Sequence, residues 1–321
     1  MDVSISIVNF DTKDMIAECL ASIFKYTKDI EFEVIVVDNG STDGSIEFIK
    51  NNFPKVRLIC NRINEGFGPA HNKSFKVSSG KYFAVLNSDV IIDSNVFYEL
   101  KIFMDKNPDV ALVIPKVIYP NGNVQDIFRF YPGVKETILG ALYTFNIIDK
   151  EKFFKYSTKN CDYNKFKILK NEYAMGCCYF LRRSSIASSY LFDEKFSLVY
   201  SEDADLSFRL KKQNFKIVYY PNVNVIHYSG YTVKNKKKYD YDLFKRIRVA
   251  FWKNKFYFIR KHHGLLREIL LRIIVSVAFS IVLFFEFVKF IFKKPKSESK
   301  HNLQIYWSIL IYTVFSKPKQ I

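Results

Sequence analysis

Residues 32–44 read FEVIVVDNGSTDG. The run from Phe32 to Val37 is apolar except at Glu33, and it ends without transition in Asp38-Asn39-Gly40. Near-continuous hydrophobicity of this length suits a strand buried on both faces rather than one with a solvated side. Such strands belong to parallel sheets covered by helices, so strand and helix should alternate on either side of it. The flanks comply. VSISIVNF (3–10) precedes, and KVRLIC (55–60) and YFAVLN (82–87) follow, all apolar and rich in β-branched residues. Ile16, Cys19, Leu20 and Ile23 recur at spacings of three and four and predict a helix over 13–26; Ser41 and Thr42 are expected to cap a second helix through residue 51, with Ile46 and Ile49 inward. The expected fold class is therefore α/β, a mostly parallel wound sheet.

Farther along, VALVIPKVI (110–118) reads as a strand, followed by the turn signal NGN and then VQDIFRF. Residues 130–170 are aromatic-rich and irregular and yield no assignment. EYAMGCCYFLRR reads as a strand. SEDADLSFRLKKQ reads as a helix with Leu206 and Leu210 on one face, and KIVYYPNVNVIHYSG as short strands.

The chain has 321 residues, 49% of them hydrophobic, enough for one large or two modest cores. It opens MDVSISIVNF, and the absence of a basic, apolar leader leads us to expect no secretory signal. Its five cysteines, Cys19, Cys60, Cys161, Cys177 and Cys178, are odd in number and show no CxxC spacing, which favours a reducing compartment over a disulfide or zinc framework. The net charge of +17 is unevenly placed. Residues 1–233 hold 29 Lys+Arg against 27 Asp+Glu, a net +2, whereas residues 234–321 hold 20 against 5, a net +15. Charge thus divides the chain into 1–233 and a basic module, 234–321.

In wound α/β sheets ligands collect beyond the carboxyl ends of the strands. There the first strand ends in Asn9, the second in Asp38-Asn39 and the fourth in Asn87-Ser88-Asp89. Each cluster alone also reads as an ordinary turn, since Asn, Ser and Asp bond their own backbone. The loop after the first strand, NFDTKD, contains no glycine, which tells against a GxGxxG dinucleotide site. A nucleotide bound here would need its phosphates neutralised another way. A divalent cation on Asp89 would serve, its oxygen ligand suiting Mg²⁺ or Mn²⁺.

VIVVDNGSTDGS, NEGFGPAHN, VLNSD, SEDADLSFRL and VIH, in this order, resemble the inverting family 2 glycosyltransferases of the GT-A fold, and within them the rhamnosyltransferase-like branch. The likeness covers roughly residues 3–230. It implies that Asp38 meets a pyrimidine base, and that Asn64, Gly66, Phe67 and Asn72 belong to a loop and helix start wrapping base and ribose. Asn87-Ser88-Asp89 stands where the family carries DxD; Asn87 replaces the first Asp and brings no charge. The likeness further implies that His227 joins Asp89 on the metal, and that Asp203, beside Glu202, is the catalytic base. Without it, a lone His227 reads as a core residue and the acids of SEDAD as a solvated helix start.

Within residues 234–261, eleven Lys+Arg interleave with aromatics, including Phe244, Phe251, Trp252, Phe256, Tyr257 and Phe258. Basic charge with aromatics suits nucleic acid or an anionic membrane. The uncharged runs 273–285 and 303–315 that follow favour the membrane and disfavour nucleic acid. Each is about 20 Å long as a helix, short against a hydrocarbon core of about 30 Å. Lengthening the first to 270–292 brings in Arg272, Glu286 and Lys289, whose basic members are expected to snorkel. The expectation is of helices lying in or dipping into the cytoplasmic leaflet, with a single transmembrane pass as the alternative. The chemistry so implied is a nucleotide-sugar donor (dTDP- or UDP-linked), a cation, and a saccharide or lipid-linked acceptor at the inner membrane face. The alternative is an inactive, membrane-bound nucleotide-sugar binder.

Overall fold

The computed structural model describes residues 1–144, 148–149, 162–170, 172–196, 201–229, 241–292 and 297–316. Their secondary structure begins as the sequence predicts: β1 (Val3–Asn9), α1 (Lys13–Tyr26), β2 (Phe32–Asp38), α2 (Ser45–Asn52), β3 (Arg57–Cys60), α3 (Phe67–Val77) and β4 (Tyr82–Asn87). After these come β5 (Val90–Ile91), α4 (Val96–Lys106), β6 (Val110–Ile118), β7 (Phe128–Phe130) and α5 (Val134–Thr144). Next are β8 (Lys167–Ile168), β9 (Glu172–Ala174), β10 (Cys178–Arg182), α6 (Glu202–Lys212) and β11 (Lys216–His227). Three long helices close the chain: α7 (Tyr241–His263), α8 (Leu265–Phe292) and α9 (Ser297–Phe315).

The main sheet runs β3-β2-β1-β4-β10-β6-β11-β5, with β8 beside β11. From β3 to β4 every pairing is parallel. Ile5, Ile7, Val34, Val36, Val85 and Leu86 are buried in the core, as strands covered on both faces require. Full burial of such side chains stabilises by about 1.5–3 kcal/mol each. The register sets Asn9 opposite Asp38 and Val8 opposite Asn87, so the polar ends of three strands share one edge. β10 enters antiparallel between β4 and β6. β11 runs parallel to β6, with an irregularity between Tyr220 and Asn224, and carries its far end alongside β5.

Several local expectations are corrected. Ser41 and Thr42 do not cap α2, which begins after Gly44 in a left-handed conformation. Ser41 Oγ instead accepts from Asn9 Nδ2 and from the Asp11 amide, while the Asp43 carboxylate takes the Ser45 and Lys13 amides. EYAMGCCYFLRR is not one strand: Met175-Gly176-Cys177 interrupts it, leaving β9 with β7 in a small second sheet and β10 in the main one. KIVYYPNVNVIH, conversely, is a single strand bent at its irregularity. Residues 130–170, unassigned from sequence, contain α5 and β8 among the described residues.

The chain forms two compact units. One comprises Met1–Arg129, Cys161–Glu194 and Glu202–Lys237; the other comprises Phe130–Asn160, Lys195–Ser201 and Lys238–Ile321. Within the second unit, Trp252 meets Phe279 edge-on, and Phe256 stacks on Tyr312, joining α7, α8 and α9. Arg272 does not snorkel as expected. It pairs with Glu268 at 2.8 Å and donates to the Thr313 carbonyl at 2.9 Å, with Arg260 3.7 Å from the same carboxylate. By length and composition, the 24-residue stretch Leu265–Val288 is long and apolar enough to cross a membrane, and it is longer than the uncharged run read from sequence.

Candidate active site

All the candidate residues lie in the first unit. At the carboxyl edge of β1, β2 and β4 a hydrogen-bonded chain links three of the predicted clusters. Asn9 Nδ2 donates to Asp38 Oδ2 (2.8 Å), Thr12 Oγ1 donates to Asn9 Oδ1 (2.6 Å), and the same hydroxyl lies 2.9 Å from Ser88 Oγ. Asp38 is fully buried, and its Oδ1 takes the amides of Gly40 and Ser41 at 3.1 and 2.8 Å. The carboxylate thus shapes the turn that follows it as well as anchoring Asn9.

A second set of amides lies beside it. Asn39 Nδ2 donates to Asn64 Oδ1 and the Gly66 carbonyl, and Asn39 Oδ1 accepts from Asn61 Nδ2 at 2.7 Å. Asn61 Oδ1 in turn accepts from Lys73, which also pairs with Glu65 at 2.7 Å. Phe67 opens α3 with its ring edge-on to His71 at 4.4 Å. Asn72 goes elsewhere: its Oδ1 takes the amides of Leu191 and Phe192, and its Nδ2 donates to the Phe192 carbonyl and to Glu194. Its amide thus tethers residues 191–194 to α3.

Asp89 and His227 do meet. β11 and β5 pair His227 with Val90, the Tyr228 amide donates to the Asp89 carbonyl, and His227 Nε2 lies 3.3 Å from Asp89 Oδ1. Burial opposes charge on His227. Its hydrogen bonds to Asp89 and Cys177 prevail and raise the imidazole to about 10, so the two form an ion pair. One carboxylate and one imidazole facing each other fit a Mn²⁺ or Mg²⁺ ion whose remaining ligands come from phosphate oxygens and water. Among the described residues no group of three or more His, Cys, Asp and Glu forms a complete protein cage. Asn87, half-buried, adds no second carboxylate; its backbone N–H donates to the Cys177 carbonyl.

Asp203 lies in the first turn of α6, placed there by Leu206 and Leu210, which are sunk in the core. The Gly176 amide donates to its Oδ2 at 3.1 Å, and Oδ1 is sealed from solvent with no hydrogen-bond partner among the described residues. Burial pushes the Asp203 carboxyl up to about 6, against the opposing effects of the Gly176 amide and the nearby Tyr179 hydroxyl. An unsatisfied, raised carboxylate is ready to accept a proton near neutral pH. A Cβ on residue 176 would come within 2.6 Å of Asp203 Oδ1 and 3.0 Å of the Tyr179 ring, so any other residue would displace the carboxylate. Glu202, also buried, starts the helix beside it. Arg209 pairs with Asp205 at 2.8 Å and reaches the Leu191 carbonyl, a structural tether.

Gly176 and Cys177 were not singled out from sequence, where they vanish into an apolar run. In the structure they are consecutive residues of which one holds Asp203 and the other, through its thiol, touches His227. Asn61 and Thr12, which complete the amide and hydroxyl networks, also carry no motif.

The mixed α/β sheet, with these polar side chains near the carboxyl ends of its strands, is of the GT-A class of sugar-transferring folds. The chain belongs to glycosyl transferase family 2, whose sequence profile matches residues 4–188. It is similar to the N-acetylglucosaminyl-diphospho-decaprenol L-rhamnosyltransferase of Mycobacterium tuberculosis, 27% identical over 218 residues, 62% of this chain and 67% of that protein. It is also similar to an uncharacterized glycosyltransferase of Methanocaldococcus jannaschii, 29% identical over 266 residues, 75% of this chain and 80% of that protein. Among solved structures, GalNAc-T7 with UDP, GalNAc and Mn²⁺ shares the fold, with a TM-score of 0.54, 15% identity, and coverage of 81% of this chain and 48% of that one. The protein is a glycosyltransferase, and the inactive-binder alternative finds no support.

Proposed function

We propose that this glycosyltransferase moves a sugar, rhamnose-like or a hexose, from a dTDP- or UDP-linked donor to a saccharide or lipid-linked acceptor, with inversion at the anomeric carbon. The observation carrying this reading is the Met175–Cys177 segment, which joins Asp203 to the Asp89–His227 pair through adjacent residues. In the reaction Asp203 accepts the proton of the acceptor hydroxyl, whose oxygen bonds to the anomeric carbon from the face opposite the leaving group. The bond from that carbon to the diphosphate oxygen breaks, and the nucleoside diphosphate departs. Asp89 and His227 would hold a divalent cation, which supplies positive charge to the departing diphosphate. Asn39, Asn61 and Asn64 line the base-binding edge, and Asp38 acts there by holding Asn9 and the turn at 39–41.

The test is thermal unfolding of the full chain against a panel of nucleotide-sugars with and without Mn²⁺. A ligand at 100 times its Kd stabilises by about 2.7 kcal/mol. One donor should raise Tm only when Mn²⁺ is present; no shift with any dTDP- or UDP-sugar refutes the reading.

The acceptor reading draws on the second unit and on the diphospho-decaprenol in the mycobacterial relative's name. Phe284, Phe285 and Phe287 on α8 and Trp307 on α9 are exposed, and Leu283, Phe284, Phe287, Leu303, Gln304 and Trp307 line an apolar groove of about 470 Å³. Together with the basic excess of residues 234–321, this suits a cytoplasmic leaflet bearing anionic lipid. The parent should float with phosphatidylglycerol vesicles, and Phe284→Asp/Phe287→Asp should sediment largely free. Equal flotation of both would remove these residues from the membrane surface.

A further inference from the structure

The hairpin signal NGN has no part in the chemistry described so far, yet the turn it makes delivers a side chain to the cation site. Gly122 adopts φ +83°, a conformation that favours glycine, and the Tyr119 amide donates to the Asn123 carbonyl to close the turn. Past the turn Val124 bridges to Ile118, and the Gln125 amide donates to the Val117 carbonyl. This holds the buried Gln125 side chain against His227 from the side away from Asp89. Gln125 Nε2 lies 2.6 Å from the His227 carbonyl, and Gln125 Oε1 lies 2.9 Å from His227 Nδ1.

The orientation of that amide follows from its partners. A carbonyl only accepts, so the NH₂ group must face the His227 oxygen, and Oε1 is left to face the ring. Oε1 has no proton to give, so Nδ1 must carry one. With one proton fixed on Nδ1, the proton that the imidazolium shares with Asp89 is the one on Nε2, so its loss to a cation would leave the Nε2 lone pair as the ligating one. A ligand histidine is commonly oriented by a hydrogen bond from its other nitrogen.

We infer that Gln125 is the positioning residue of the cation site, setting the His227 tautomer so that Nε2 is the ligating nitrogen. The inference rests on the assignment of Asp89 and His227 to the cation. Gln125 touches no substrate; it acts through His227. Loss of such an outer partner typically weakens metal binding about 10–100-fold.

The experiment uses the full chain, selectively ¹⁵N-labelled at its five histidines, and Gln125→Met, which retains length but neither donates nor accepts comparably. Mn²⁺ affinity is read by electron paramagnetic resonance of the free ion. The ring tautomer is read from long-range ¹H–¹⁵N correlation in the Mg²⁺-loaded state, with His227 identified by His227→Ala. The parent should show Nδ1 protonated and Nε2 bare. Gln125→Met should bind Mn²⁺ about 10–100-fold more weakly, while Gln125→Met/His227→Ala should bind no worse than His227→Ala alone. A parent ring protonated on Nε2 overturns the inference without recourse to any variant, so a misfolded Gln125→Met would not protect it. Equal Mn²⁺ affinity of parent and Gln125→Met overturns it too, as does an undiminished Gln125 effect in the His227→Ala background. Failure of the parent to bind Mn²⁺ would instead defeat the cation assignment itself, a distinguishable result.

Discussion

Asp203→Asn should abolish sugar transfer and stabilise the protein at neutral pH. The first effect follows from the base: an amide of the same size cannot take the acceptor proton, and positioned general-base help is worth about 10²–10⁴-fold. Donor affinity should stay within a few-fold of the parent. The second effect has the opposite sign and the same origin. The carboxyl rises from 3.8 to about 6 on folding, so the folded state holds its proton more tightly than the unfolded one. Below about pH 4 both states are protonated and nothing is lost. Between there and pH 6 the cost of burying the anion accumulates, and above pH 6 it is fully present, on the order of 3 kcal/mol. Asn carries no such cost. The variant's Tm should therefore exceed the parent's at pH 7.5 and match it at pH 4. The parent's kcat/KM should fall as pH drops through about 6. Full turnover by the variant, or a Tm difference indifferent to pH, would remove Asp203 from this role.

Asp89→Ala should erase the cation dependence of donor binding. With Asn87 where a second carboxylate could stand, Asp89 is the sole acid of the NSD cluster, and no neighbouring acid there replaces it. A drop in Mn²⁺ affinity of at least about 100-fold is expected, the upper end of what loss of an outer partner alone produces. Calorimetry provides the comparison. Donor affinity of Asp89→Ala should equal that of the parent in EDTA, and added Mn²⁺ should restore only the parent. A variant that still gains donor affinity from Mn²⁺ would place the ion elsewhere.

Much of the fold is legible in the sequence. Strands buried on both faces are near-continuous apolar runs, and their polar ends mark where helices and ligands meet, so Asn9, Asp38 and Asn87-Ser88-Asp89 stood out. His227 and Asp203 were legible only through the ordered motifs, because a histidine in an apolar strand and acids at a helix start have ordinary structural uses. Three residues escaped for a common reason. Gly176 and Cys177 break a strand whose apolar pattern does not falter, and Gln125 follows a turn by two residues. Their importance lies in partners far away in sequence: Asp203, 27 residues from Gly176, and His227, 102 from Gln125. The partners of Asn72 are hidden likewise, since its amide meets residues some 120 positions away. Local pattern reports which face is buried, not which distant backbone arrives there. The capping role given to Ser41 and Thr42 failed because Asn9 and Asp11, from the adjacent strand end, compete for them.

The glycine at 176 has a consequence for how this enzyme can change. The Gly176 amide holds the proposed proton acceptor and the thiol of the next residue touches the imidazole, so one short segment bears on both halves of the proposed reaction. Drift in this segment would disturb both at once, and a library that randomises it should return almost only dead clones. A changed nucleotide preference would instead arise at the periphery, in the asparagine-rich edge around residues 39, 61 and 64, where one amide can be exchanged while the proposed reacting groups stay where they are.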